Sequence, residues 1–170
     1  QESLPVPFVD LPWQHAAIAD EIAGPLLDVM EKGSFIQGPD VRAFEAEFAA
    51  FSGVDHCISV GNGTDALELA LRGAGIEPGA EVIVPANTFV ATAEAVVRAG
   101  GRPELVDCDD NSLIDVAQVA ASMTANTWGV MPVHLYGQMA DMETLATICD
   151  GRSVRLVEDA AQAQGAERKG

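Results

Sequence analysis

Two acidic residues, Glu158 and Asp159, directly follow an apolar run that is typical of a buried strand. A carboxylate that leaves water needs a partner. At the end of a strand, a carboxylate can bind the nitrogen of a cationic ring and keep it protonated, because the opposite charge stabilises the charged form. The same two side chains could equally cap a helix that follows. The pair by itself leaves both interpretations open.

A glycine-rich turn, residues 61–63, lies between a predicted strand and a predicted helix, and it is followed by Thr64 and Asp65. The free N–H groups at a helix N-terminus favour an anion, above all a phosphate, and the Thr64 hydroxyl adds a donor. The alternative is a capped helix start, with Thr64 or Asp65 as the cap. The segment matches neither the dinucleotide-binding glycine pattern nor the P-loop.

Two further segments also follow predicted strands, residues 85–92 and residues 133–138. In the first, Phe89 is expected one residue into a helix, where it either covers a flat ring at the strand end or belongs to the core. In the second, His134 and Tyr136 fit either an active site or the packing at a strand end. Ligands of open α/β sheets bind at the carboxyl ends of the strands, so all of these segments are candidates.

Short apolar runs alternate with helical stretches from residue 53 onward, and this predicts crossover connections and a mostly parallel sheet. Before that point, residues 1–12 are rich in proline and are predicted to be extended. Predicted helices span residues 15–30, 40–51, 64–72, 88–99, 115–122 and 141–149. Predicted strands span residues 56–60, 81–84, 102–106, 128–132 and 155–158.

The charge is strongly acidic, with 26 Asp and Glu against 9 Lys and Arg, a net of −17. This argues against nucleic acid and against anionic membranes, which are bound through Lys and Arg. The chain shows no membrane span, no signal peptide and no metal-ligand spacing, so we expect a cytoplasmic protein without a metal. We expect its three cysteines to be buried thiols in a reducing compartment.

Taken together, four motifs are much more specific than each one alone. They are Gly-Thr-Asp-Ala-Leu-Glu-Leu-Ala-Leu at 63–71, Asn-Thr-Phe-Val-Ala-Thr-Ala at 87–93, Pro-Val-His-Leu-Tyr-Gly at 132–137 and Glu-Asp-Ala-Ala-Gln at 158–162. In this order they resemble the DegT/StrS family of nucleotide-sugar aminotransferases, which depend on pyridoxal phosphate (PLP).

The resemblance implies the three-layer α/β/α large domain of a PLP-dependent transferase, with a mostly parallel sheet. Residues 1–52 would form an N-terminal segment with helices, and residues 53–170 an incomplete PLP-binding domain without the small C-terminal domain. The ending after a predicted strand is expected for a truncated chain.

The family also implies roles for individual residues. Gly63, Thr64 and Asp65 would hold the PLP phosphate, and Phe89 would stack on the pyridine ring. Two more cofactor-binding residues are implied at the strand end. Asp159, which would also be catalytic, would pair with the pyridinium nitrogen, and Gln162 would bind the phenolic oxygen. The substrates would be a nucleotide-linked keto-sugar and an amino donor, which the resemblance suggests is glutamate, and the active enzyme would be a homodimer.

Two departures from the family pattern stand out. Gln164 takes a position where the family often has His. The family's lysine, to which PLP is covalently attached, is expected roughly 25 residues beyond Asp159, and the two lysines here, Lys32 and Lys169, do not match it. We therefore expect residues 1–170 alone to be inactive. A sugar dehydratase of the same family, with His in place of that lysine, and a non-catalytic PLP-fold fragment are the alternatives.

Overall fold

The computed structural model describes residues 6–168, and the chain divides into two compact units, one ending at Cys57 and one beginning at Ile58. The first unit contains helices α1 (Leu11–Lys32) and α2 (Pro39–Ser52), each of which ends at a glycine in the left-handed conformation. Both helices were predicted. The extended start was predicted too long, because Pro12 lies in the first turn of α1, where proline is tolerated. Residues 1–5 lie outside the described part.

The second unit alternates helices and strands as the sequence pattern predicted. Its helices are α3 (Gly63–Gly73), α4 (Ala91–Arg98), α5 (Val116–Ser122) and α6 (Met142–Asp150). Its strands are β1 (Glu81–Pro85), β2 (Arg102–Val106), β3 (Thr127–Val130) and β4 (Arg155–Leu156). All pairs are parallel, and the strand order is β2-β1-β3-β4.

The sheet is covered on both faces, as the three-layer prediction required. Side chains alternate along β1, so Ile83 faces one layer while Val82 and Val84 face the other. Ile83 packs in a core that includes Val119 of α5 and further residues of α6. The opposite core joins the sheet to α3 and α4, and its buried members are Leu71, Val82, Val84, Val96, Ala99 and Met131. The α/β/α architecture is therefore confirmed.

One predicted strand is wrong. Residues 56–60 form no strand in the described chain, and Ile58 is 80% exposed. The apolar alternation there satisfies the pattern of a strand, but a strand also needs a partner backbone for its hydrogen bonds, and the four-stranded sheet provides none for this segment. The boundary between the predicted domains, residues 52 and 53, stays a prediction.

The prediction of three buried thiols is wrong for two of them. Only Cys149 is buried, and burial raises the pKa of its thiol. Cys57 and Cys108 are half-buried, and all three are free. Among residues 6–168, no helix is both long and apolar enough to cross a bilayer.

Candidate functional site

The candidate site lies at the carboxyl edge of the sheet. Because β1, β3 and β4 are parallel, the segments that follow them leave the sheet at the same edge. Helix α3 leads into β1 through a short turn and therefore runs back along the sheet. Its 11 residues span about 16 Å at 1.5 Å per residue, and this matches the length of the strand it precedes. The α3 N-terminus thus faces the carboxyl edge.

Asp159 is fixed at this edge by its own backbone. Its N–H donates to the carbonyl of Pro132 (3.0 Å), and its carbonyl accepts from the N–H of His134 (3.0 Å). These bonds form an isolated parallel bridge between Val133 and Asp159 beyond the ends of β3 and β4. The side chain is buried, with 6% of the residue exposed. The sheet itself therefore holds the predicted catalytic carboxylate in place.

The Asp159 carboxylate accepts two hydrogen bonds from neutral donors. The Thr92 hydroxyl donates to Oδ2 at 2.8 Å, and the Ala161 N–H donates to Oδ1 at 3.2 Å. Within residues 6–168, no ion pair supplies a positive charge to this carboxylate. Two donors do not fill the lone pairs of a carboxylate, and an ionised carboxylate buried without a cation is unfavourable. The arrangement is suited to a cationic ligand.

Its neighbour Glu158 is held differently. His134 is buried, and its Nε2 lies 2.8 Å from Oε2 of Glu158, while its Nδ1 accepts the N–H of Ala140 at 3.2 Å. Since Nδ1 accepts, the ring proton is assigned to Nε2, which donates to the carboxylate. This hydrogen bond lowers the pKa of Glu158, against the opposing effect of burial. Glu158 is thus hydrogen-bonded to the His134 ring, whereas Asp159 has only the Thr92 hydroxyl and the Ala161 N–H as donors among residues 6–168.

Gln162 is oriented by an unusual turn. Tyr136 has a φ of 58°, in the left-handed region that strains a residue with a side chain. Its N–H donates to Oε1 of Gln162 at 2.8 Å. Because this bond occupies the amide oxygen, the Gln162 NH₂ group remains to donate to an acceptor. Such a donor is what a phenolic oxygen requires.

The start of α3 is organised by Asn62. Its side-chain oxygen accepts the N–H of Asp65 at 2.9 Å, so Asn62 is the cap, rather than Thr64 or Asp65 as the capping alternative proposed. The N–H groups of Gly63 and Thr64 precede that bond and have no acceptor among the described contacts. They are available to an anion.

The Asp65 carboxylate is occupied within the protein. Oδ1 pairs with Arg98 of α4 at 3.0 Å, and Oδ2 accepts from the Asn62 amide at 3.0 Å. Arg98 also pairs with Glu68 at 2.8 Å. These contacts tie the N-terminus of α3 to α4. Asp65 is thus part of the hydrogen-bonded helix start.

Phe89 lies before the helix, which begins only at Ala91, so its expected position inside the helix is wrong. The reason is local: the segment from Ala86 makes a bend before the helix starts, and Val90 already has helical angles. The alternative that Phe89 belongs to the core is also wrong, since 72% of it is exposed. An exposed aromatic ring next to the strand end is free to cover a planar ligand.

Three contributors escaped the sequence reasoning: Asn62, Thr92 and Arg98. Asn62 stands directly before the glycine and threonine of a helix start, and this is a detectable capping signal. Thr92 and Arg98 act through contacts with residues distant in the chain, and no local pattern reveals such contacts. Among residues 6–168, no group of three or more His, Cys, Asp or Glu side chains could hold a metal.

A sequence profile of the DegT/DnrJ/EryC1/StrS aminotransferase family matches residues 16–170. The chain belongs to this family. Family members are PLP-dependent. The profile begins within α1 and covers α2 and the whole of the sheet with its candidate site, so the family resemblance of the four motifs is confirmed.

Curated relatives share close to half of the residues of this chain. A "pleiotropic regulatory protein" of Geobacillus stearothermophilus is 48% identical over 97% of this chain and 45% of its own length. A dTDP-3-amino-3,4,6-trideoxy-alpha-D-glucose transaminase of Streptomyces venezuelae is 43% identical over 97% of this chain and 44% of its own length. The chain thus spans about half the length of the curated relatives it matches.

A solved structure, NtdA of Bacillus subtilis with bound cofactor PMP, aligns with a TM-score of 0.92. It is 34% identical, and the alignment covers 97% of this chain and 38% of that one. PMP is the aminated form of PLP. The fold of residues 6–168 is therefore that of a known PLP enzyme class.

We predict that the Glu158–His134 contact stabilises the fold in a pH-dependent way. The folded pKa of Glu158 is lowered, so its stabilisation is present above the unfolded value of about 4.3 and is lost as the pH falls through the lower folded pKa. Glu158→Gln should cost about 0.5 kcal/mol of unfolding free energy at pH 7, a small value because the side chain is half exposed. Urea unfolding across pH 3–7 measures this.

The matched control is Glu77→Gln, which removes the same charge from an exposed turn. Its effect should stay near zero across that range. If the two variants lose equal stability at pH 7, or if the Glu158→Gln loss persists at pH 3, then the contact does not stabilise the carboxylate.

Proposed function

We propose that this protein is a PLP-dependent aminotransferase that transfers an amino group, from glutamate, to a keto-sugar linked to a nucleotide. The observation that carries the proposal is the buried Asp159 carboxylate, which the sheet holds in place without a cation among residues 6–168. A protonated pyridine nitrogen is the cation that fits beside an exposed aromatic ring. The family membership and the names of its relatives give independent support.

The residues present fit the cofactor group by group. The free N–H groups of Gly63 and Thr64 would bind its phosphate, with the positive end of the α3 dipole behind them. Phe89 would cover one face of its ring. The NH₂ group of Gln162 would donate to its phenolic oxygen, because its amide oxygen is already occupied. Asp65 would hold the helix start in place rather than bind the anionic phosphate through its carboxylate.

When bound, PLP supplies an electron sink for the bond-breaking steps at the amino carbon. Asp159 contributes by keeping the ring nitrogen protonated, which is the state that withdraws electrons. Burial strengthens this pairing, because little water competes for the carboxylate. The proton transfers that follow need a base. In this family that base is a lysine, and we propose that it lies outside residues 1–170.

The surroundings of the site bear on the substrates. The net charge of −17 is unfavourable for a nucleotide diphosphate. Basic residues outside residues 1–170, or residues of a second subunit, would therefore have to neutralise the substrate phosphates.

We propose a homodimer in the cytoplasm. In support, α1 has no buried residue and exposes large apolar side chains, namely Trp13, Ile18, Ile22, Leu26, Leu27 and Met30.

The cofactor proposal predicts that the full-length protein containing this chain binds PLP and gains a reduced PLP-lysyl adduct after borohydride treatment, by intact mass. It also predicts amino transfer from glutamate to nucleotide-linked keto-sugars. Asp159→Asn should lower kcat/KM at least about 100-fold, because it removes the charge that the ring nitrogen needs. Asp110→Asn, the same change at an exposed turn, should leave kcat/KM unchanged.

The outcomes separate the candidates. PLP binding without an adduct, together with loss of water from the sugar, would mean the dehydratase. No PLP binding by the full-length protein would leave the non-catalytic alternative. Equal activity of Asp159→Asn and the wild type would contradict the role given to the carboxylate.

The homodimer proposal predicts a solution mass twice that of the full-length chain in sedimentation equilibrium. Leu26→Asp, which puts a charge on the exposed apolar face of α1, should shift the protein toward monomer. Asp20→Asn, at an exposed polar position of the same helix, should not. A monomeric wild type, or a Leu26→Asp variant that remains fully dimeric, would contradict this use of the surface.

A further inference from the structure

Thr92 places a hydroxyl in the interior of the protein, where the cofactor roles above do not use it. The residue is fully buried on α4, and its Oγ1 lies 2.8 Å from Oδ2 of Asp159. Thr92 is the second residue of α4, and its hydroxyl reaches a residue 67 positions away in the chain.

The direction of the hydrogen bonds follows from the chemistry of the groups. An ionised carboxylate only accepts, so the hydroxyl of Thr92 donates its one hydrogen to Asp159. The hydroxyl of Thr88 lies 2.9 Å from that of Thr92. Since the hydrogen of Thr92 is already used, Thr88 donates to Thr92. The result is a directed chain from Thr88 through Thr92 to Asp159.

This series of hydrogen bonds restricts the orientation of the Asp159 carboxylate. The Thr92 hydroxyl and the Ala161 N–H hold the two oxygens from different elements, so the carboxylate plane cannot rotate freely. The first member, Thr88, directly precedes Phe89 in the bend before α4. Thr88 therefore supports the Thr92 hydroxyl from a position outside α4.

We propose that Thr92, supported by Thr88, is a positioning residue that aims the Asp159 carboxylate at the ring nitrogen of the cofactor. The inference rests on the proposed PLP function and adds to it the origin of the geometry. Thr92 does not touch the cofactor and acts only through Asp159. Its loss weakens the contact to the ring nitrogen and leaves the phosphate and ring-face contacts intact.

The test compares two ligands of the full-length apoprotein: PLP, and its analogue with C–H in place of the ring nitrogen. Thr92→Val keeps the shape and removes the hydroxyl. It should weaken PLP binding about tenfold, as expected for loss of a hydrogen bond to a charged group, and leave the analogue's Kd within about twofold. Thr92→Ser, which keeps the hydroxyl, should retain the wild-type preference for PLP.

Thr127→Val is the matched control, since Thr127 is also buried but its hydroxyl accepts the N–H of Thr124 at the opposite edge of the sheet. It should leave the Kd of the analogue divided by the Kd of PLP unchanged. Thr88→Val, at a half-buried position, should lower this ratio less than Thr92→Val does. It gives the same readout where Thr92→Val does not fold.

Each outcome is decisive. Equal weakening of both ligands in Thr92→Val would show a purely structural hydroxyl and overturn the inference, as would no weakening at all. In both cases a wild type that prefers PLP keeps the proposed function. A wild type that binds neither ligand would overturn the proposed function and the inference with it.

Discussion

The candidate site depends on one constraint: the Asp159 carboxylate is buried without a positive charge from residues 6–168. An ionised carboxylate buried in this way is unfavourable unless a cation pairs with it. The backbone bridge to Val133 fixes the main chain of Asp159, and the bonds from Thr92 and Ala161 hold its carboxylate in the interior. A ligand with a positive ring nitrogen therefore forms a stronger ionic contact here than it would with a carboxylate on the protein surface.

The parallel sheet explains why the other groups meet that carboxylate. The loops that follow parallel strands all begin at the same edge of the sheet, so residues that are far apart in the sequence come close together there. Helices α3 and α4 both begin at this edge and run away from it. Helix α4 supplies Thr92 in its first turn, and α3 presents the free N–H groups of its N-terminus. The fold thus brings a buried carboxylate, an exposed aromatic ring and the free N–H groups of a helix start to one edge.

Much of this architecture was predictable because the alternation of short apolar runs and helical stretches is a local signal. The predicted strand at residues 102–106 matches β2 residue for residue, and the helices differ mainly at their ends. The failures have physical causes. Residues 56–60 have the composition of a strand but lack a partner among the described strands. Phe89 was placed inside a helix because periodicity does not register the bend before α4.

The sequence names candidate site residues, which stay predictions, but it does not give their contacts. Asp159 and Gln162 came from a family motif, and the structure adds that Gln162 is oriented by the strained turn at Tyr136. The hydroxyl chain from Thr88 and the pairing of Arg98 with Asp65 join segments far apart in sequence. Only the packing of α3 and α4 against the sheet brings these groups together.

The central claim is that Asp159 keeps the ring nitrogen of bound PLP protonated. The most direct measurement is the ¹⁵N chemical shift of the ring nitrogen in the full-length protein loaded with PLP labelled at that atom. A shift typical of protonated pyridine at pH 8, lost in Asp159→Asn, is the expected result. A shift typical of neutral pyridine in the wild type, or one unchanged in the variant, would contradict the claim.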